Sequence, residues 1–210
     1  MIRLLLGTHN RGKIEEAMEL LAGIDGLELL SFAERSFSDV DETGETFVDN
    51  ALLKAISICD ETGLAVLSED AGLEVHALDG APGVRSARFS GEPVSYDRNN
   101  DLLLERLDGI ADRRARFVSV AALRLPDGQT YLCTGLLPGR IVDVPRGEGG
   151  FGYDPLFVPE GETRTLAEMS LDEKNRISHR HRAMSRMGLL LVDLIGRGDW
   201  PADGPPAPDR

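Results

Sequence analysis

The chain has 210 residues, 41% of them apolar, enough to bury one sizeable core or two closely packed lobes. Its formal charge of −13 excludes the basic footprint that duplex DNA and anionic membranes reward with released counterions. Neither partner is therefore expected, and any polyanionic ligand must meet a local basic pocket or a metal ion.

The opening "MIRLLLGTHN" is too short in apolar residues for a signal-peptide core or a membrane span, which points to the cytoplasm. "IRLLL" predicts a strand, Gly7 to Asn10 a tight turn, and Ile14, Ala17, Met18 and Leu21 recur at helical spacing. Where a strand hands over to a helix, backbone N–H groups and the helix dipole can receive a phosphate. Thr8 and Asn10 add hydrogen-bonding side chains there and Lys13 adds charge. The same pattern also fits an Asn-capped helix with a solvated lysine, and it is not the longer Walker motif.

"LELLSF" predicts a second strand, and a second helix runs from Thr46 to its stop at Gly63. The turn before that helix carries Asp41, Glu42 and Glu45, residue types that serve as caps or as metal ligands. "AVLSED" predicts a buried strand ending in Glu69 and Asp70, where a glycine loop begins. Two acids in that position are costly unless a cation offsets them, and Mg²⁺ suits a few carboxylates plus substrate phosphates.

Further on, "LEVHAL" alternates and "GAPGVRSARFSG" is a loop whose Arg85 and Arg88 could brace a carboxylate, a neighbouring subunit or a phosphate. "DRNNDLLLERLDG" predicts a helix. A hairpin turning at Pro126-Asp127-Gly128 follows, then a further strand. The glycine-rich "GEGGFGYDPLFVPEG", residues 147–161, sets Phe151 and Tyr153 among residues that allow close backbone approach. Residues 170–198 form a long helical pattern with a break near Ser178. Residues 1–196 read as a single domain of two lobes, one of them β-rich, and 197–210 as a disordered tail too rich in proline to pack.

Arg outnumbers Lys 20 to 3. Lys13, Lys54 and Lys174 are therefore either positions where only a compact point charge serves, or the residue of chance. Cys59 and Cys133 lack metal-type spacing and read as buried thiols. His179 and His181 diverge on a helix, no His-Glu-x-x-His or Gly-x-Ser-x-Gly pattern occurs, and nucleophilic catalysis has no support.

In order and spacing, "THNRGK", "DETGETFVDNALLKA", "SEDAGLEVHALDGAPGVRSARFSG", "GGFGYDPLFVPEG" and "EKNRISHR" resemble the inosine triphosphate pyrophosphatase family, also called Ham1-like. The resemblance implies an elongated mixed α/β fold with two lobes around a central nucleotide-binding cleft, a homodimer, and Mg²⁺-assisted cleavage of dITP, ITP and XTP to the monophosphate and pyrophosphate. Carried over by motif, Thr8, His9, Asn10, Arg11, Gly12 and Lys13 hold the triphosphate. Asp41 and Asp70 bind the metal, and Asp70 is also the general base. Ala71, Phe151, Gly152, Tyr153, Asp154, Lys174, His179 and Arg180 complete nucleotide and base recognition, with Phe151 or Tyr153 stacking on the base. The family commonly reads Asp-Asp-Ser-Gly where this chain has Glu69-Asp70-Ala71-Gly72, so a contact at Ala71 must come from backbone. The alternatives are a Maf-like pyrophosphatase for pyrimidine or modified nucleotides, and a module that binds nucleotide without hydrolysing it.

Overall fold

The computed structural model describes residues 1–203. Six strands form one mixed sheet in the order β2-β1-β3-β4-β5-β6. Strand β1 (Ile2–Leu6) pairs in parallel with β2 (Leu27–Leu30) on one side and with β3 (Ala65–Val75) on the other. Parallel neighbours need crossover connections, which helices α1 (Arg11–Leu21) and α2 (Phe47–Thr62) supply. Strands β4 (Arg114–Arg124) and β5 (Thr130–Ile141) follow α3 (Tyr96–Arg106), and β5 pairs antiparallel with the short β6 (Phe157–Pro159). Helices α4 (Leu171–Ile177) and α5 (His179–Arg197) close the chain.

Local chemistry sets these limits. Asn10 caps α1 by accepting from the Lys13 N–H. Thr46 and Asp49 form a reciprocal capping box on α2, which Gly63 ends in the left-handed region at φ 72°. Ser178 takes an extended ψ of 153° and so divides the long helical pattern into α4 and α5, at the break expected from the sequence.

Contacts divide the chain into two compact units. The first holds residues 1–70, 120–134 and those from 183 onward; the second holds 71–119 and 135–182. In the first unit Leu4, Leu6, Leu67, Ala121 and Leu123 pack against Leu21 and against Met184, Met187 and Leu191 of α5. In the second, Leu73, Leu103, Phe117, Phe157 and Leu166 form a separate cluster. β3, β4 and β5 each contribute residues to both units, and the hairpin β4–β5 belongs to the one sheet.

Three elements differ from expectation. β3 does not stop at Asp70 but continues through Ala71 and Gly72 to Val75, because small residues do not interrupt pairing when the flanking residues are buried. β5 is continuous through Pro138 and Gly139, absorbing what the sequence suggests is a separate strand. At the other end, α5 reaches Arg197, Trp200 packs partly buried against the first core, and Arg3 pairs with Asp203. Packed chain thus runs past the expected limit at residue 196, since one tryptophan offers enough apolar surface to dock despite its proline neighbours. The rest of the expected tail, 204–210, lies outside the described residues.

Candidate active site

In the first unit, β1 ends against β3 at a point where no side chain fits: a Cβ on Gly7 would collide with the Ser68 hydroxyl and lie 2.8 Å from Val66. The chain then turns. The Asn10 N–H donates to Thr8 Oγ1 at 3.1 Å and the Asn10 carboxamide caps α1. Asn10, Arg11 and Gly12 are exposed, and Arg11 is engaged with Glu15 one helical turn on. His9 stacks on Phe37 with ring centroids 4.7 Å apart and pairs with Asp39 at 2.7 Å. The capping role and an open helix N-terminus coexist.

Lys13 turns inward from this helix. Its ammonium is 3.3 Å from the Glu69 carbonyl oxygen and 3.8 Å from the Glu69 carboxylate. Lys54, from α2, donates to the same carbonyl at 2.9 Å, pairs with Glu42 and lies 3.8 Å from Asp70 Oδ1. Glu69 and Asp70 are both buried. Burial pushes the Asp70 carboxyl above the usual carboxylate range and Glu42 adds to the rise, while Lys54, Lys13 and the Asn50 amide oppose it. Buried acids are stable only when positive charge and hydrogen bonds surround them. Here two lysines and one amide supply them.

Of the acidic turn before α2, Glu42 reaches this group. Asp41 and Glu45 are exposed. Asn50 and Lys54 lie on α2 inside the segment that carries the family resemblance, yet the motif reading leaves both without a role. The scarcity of lysine was the available signal, because all three lysines are tucked in, with side chains 20%, 12% and 10% exposed for Lys13, Lys54 and Lys174.

In the second unit, the glycine-rich segment is folded on itself around Asp154. That buried carboxylate accepts from the Phe151 N–H at 2.9 Å and from the Lys174 ammonium at 2.5 Å. Lys174 also sits 4.5 Å over the Phe151 ring. A Cβ on Gly150 would strike the Asp154 carboxylate, one on Gly147 would strike the Ala167 backbone, and one on Gly149 would come within 3.0 Å of Ala167 O. Gly147, Gly149 and Gly150 are therefore demanded by the protein's own packing, whereas Gly152 and Gly161 face open space.

The two aromatics separate. Phe151 is 54% exposed, whereas Tyr153 is 4% exposed and donates its hydroxyl to Ser86 O at 2.9 Å. Tyr153 is anchored inside the unit, its phenol pushed up by burial, and Phe151 is the one of the two that is open to solvent. Lys174, Phe151 and Asp154 are brought together. His179, at the start of α5, is stacked on Phe117 at 4.9 Å, and Arg180 beside it is buried. Ala71, directly after Asp70 on β3, is partly buried.

Glu42 and Asp70, which share Lys54, have the donor chemistry of a hard divalent cation. Among the described residues, however, no three His, Cys, Asp or Glu side chains are already grouped to hold one.

Comparisons with known proteins show the family. The model of the Ham1 family matches residues 4–188. The dITP/XTP pyrophosphatase of Deinococcus deserti is 48% identical over 189 residues, covering 88% of this chain and 87% of the relative. That of Symbiobacterium thermophilum is 50% identical over 198 residues, covering 93% and 98%. Among solved structures, a HAM1 protein from Coxiella burnetii superposes with a TM-score of 0.87 at 38% identity, covering 92% of this chain and 100% of that one. The Staphylococcus aureus Ham1 protein gives 0.84 at 37% identity, covering 91% and 98%.

Proposed function

The chain belongs to the Ham1 family, and on that premise we propose that it hydrolyses dITP, ITP and XTP to the nucleoside monophosphate and pyrophosphate, clearing deaminated purines from the nucleotide pool. One observation carries the reading: two buried adjacent carboxylates, Glu69 and Asp70, held by two of the chain's three lysines beside a capped helix start. The curated relatives named dITP/XTP pyrophosphatase carry the substrate assignment.

The residues of the first unit take the triphosphate. Thr8, Asn10 and the first N–H groups of α1 offer hydrogen bonds to phosphate oxygens, and Lys13 and Lys54 supply the charge that stabilises the developing oxyanion. Asp70 orients the attacking water and takes its proton, a role favoured by a carboxyl whose proton affinity burial has raised. Phosphorus–oxygen cleavage between the α and β phosphates then releases pyrophosphate. Asp70 and, by the family resemblance, Asp41 would hold Mg²⁺, which would supply further charge neutralisation of the phosphate oxygens; Glu42, the acid of that turn that reaches the buried group, is placed to join them.

By the family resemblance, Phe151, Lys174, His179 and Arg180 take the base. Phe151 offers a stacking face, worth about 1–3 kcal/mol per base and blind to base identity. Donors from the His179–Arg180 segment then select a 6-oxo group, since adenine would present its amino donor to them. A pocket that leaves buried donors unpaired can reject the wrong partner by about 10⁴-fold. The family resemblance supports a homodimer. Among the described residues no helix is long and apolar enough to cross a membrane.

Steady-state assays with Mg²⁺ and ITP, XTP, GTP or ATP test the proposal. Pyrophosphate is the expected product, with kcat/KM for ITP and XTP far above that for ATP and GTP. Release of orthophosphate, or equal kcat/KM for ITP and ATP, refutes it.

A further inference from the structure

Asn50 is on α2, in its first turn, and is fully buried. A buried carboxamide must place both its oxygen and its NH₂ against partners. The Asn50 oxygen accepts from the Gly44 N–H at 2.8 Å, and its NH₂ donates to Asp70 Oδ2 at 3.2 Å. Partner chemistry forces this orientation, because a backbone N–H can only donate and an ionised carboxylate can only accept. The start of α2 does not need the amide, being already capped by Thr46 and Asp49.

The acidic turn is pressed onto the same side chain. A Cβ on Gly44 would lie 2.6 Å from Asp49 Cβ, 2.7 Å from the Asn50 oxygen and 3.0 Å from the Asn50 backbone nitrogen, so glycine at 44 is what lets the turn close on the start of α2 and reach the amide. One side chain thus joins the Glu42-bearing turn to the β3 carboxylate. The Lys54 ammonium, 3.8 Å from Asp70 Oδ1 on a flexible stem, supplies charge but little direction. An amide on a helix supplies direction.

We propose that Asn50 is a positioning residue for hydrolysis, which fixes the rotation of the Asp70 carboxylate and locks the acidic turn beside it. The inference rests on the reading of Asp70 as the base. Its consequences differ from those of a merely structural asparagine: an orientation defect lowers turnover per folded site, whereas a folding defect lowers the number of sites.

Asn50→Asp is nearly isosteric and keeps the acceptor for Gly44, but turns an oxygen toward Asp70 where a donor belongs. Gly44→Ala leaves both Asn50 and Asp70 in the chain and displaces the amide by crowding. Each is compared with the parent and with Asp70→Asn in Mg²⁺-dependent ITP hydrolysis. Nucleotide-competent sites are counted by calorimetry with the α,β-methylene analogue of ITP. For Asn50→Asp, kcat per competent site should fall about 10- to 100-fold, the scale of a misplaced reacting group, with KM within about 3-fold of the parent. Gly44→Ala should move kcat in the same direction by less, and it decides the matter should Asn50→Asp not fold. In Asn50→Asp combined with Asp70→Asn, donor and acceptor are exchanged, so the melting temperature should recover from that of Asn50→Asp while turnover stays absent. Parent-like kcat per site in both Asn50→Asp and Gly44→Ala, beside an inert Asp70→Asn, overturns the role of Asn50. Normal turnover in Asp70→Asn overturns instead the reading of the base.

Discussion

Asp70 carries opposite demands. Ionised, it can take a proton from water; buried, it is costly to ionise, and its pKa rises. Asp70→Asn should therefore lower kcat by at least about 10²-fold while raising stability at neutral pH. The sign follows from linkage: when a carboxyl has a higher pKa folded than unfolded, the folded state binds more protons in the interval between the two values. Stability then declines as pH rises through that interval, and the full cost stands above it. The melting advantage of Asp70→Asn should accordingly be largest at neutral pH and vanish below the unfolded value of about 3.9. In the parent, kcat/KM should fall on acidification through the raised pKa. Calorimetric melting and pH–rate profiles of both proteins check this, and a variant no more stable than the parent at pH 7 would count against a costly buried charge. Lys13 belongs to the same scale. Lys13→Arg conserves charge, but a planar fork does not fit a slot in which the ammonium meets both the Glu69 carbonyl and carboxylate; kcat/KM for ITP should drop about 10-fold or more, and parent-like kinetics would make its confinement irrelevant.

At the scale of elements, the segment 147–154 is a loop in which Gly147, Gly149 and Gly150 serve internal packing. Gly150→Ala places a methyl against the Asp154 carboxylate at a backbone φ of 72°, where L-residues are strained by about 1–3 kcal/mol. It should loosen the Phe151 N–H and Lys174 contacts to Asp154 together, raising KM for ITP more than it lowers kcat. A kcat loss at constant KM would place this loop in the chemistry and not in binding. The end of α5 offers a second case. Trp200→Ala removes an aromatic packed against the first core and should cost roughly 2 kcal/mol, less than the 3–5 of a fully buried aromatic. That corresponds to a melting shift of about 4–8 °C for a chain of this size, with kcat for ITP unchanged, and an unshifted melting curve would show that the docked tryptophan contributes nothing.

For the whole molecule, the proposed reaction couples metal to nucleotide: Mg²⁺ held by a few carboxylates would complete its shell with substrate oxygens. A chelator should stop turnover yet leave the melting temperature of the nucleotide-free protein nearly unchanged. Mg²⁺ and α,β-methylene ITP together should raise it by more than the sum of their separate shifts. A large loss of stability on chelation alone would reveal a resident structural ion.

The sequence by itself determined the elements and the family. Alternation, helical spacing, Asn10, Thr46 and Gly63 as stop and start signals, and the break at Ser178 are local chemistry, written within a few residues of where they act. Five motifs in register named the family for the same reason, since each is a contiguous string. The role of the lysines was half legible: composition singled out Lys13, Lys54 and Lys174, but only the fold set the first two on Glu69 and Asp70 and the third on Asp154. Tertiary structure alone decided that Phe151 is open and Tyr153 sealed, that Glu42 and not Asp41 turns inward, and that Asn50 spans from Gly44 to Asp70. Burial and hydrogen-bond partners depend on residues brought together from distant parts of the chain, and no local pattern of residue types encodes which way a side chain will face once they meet.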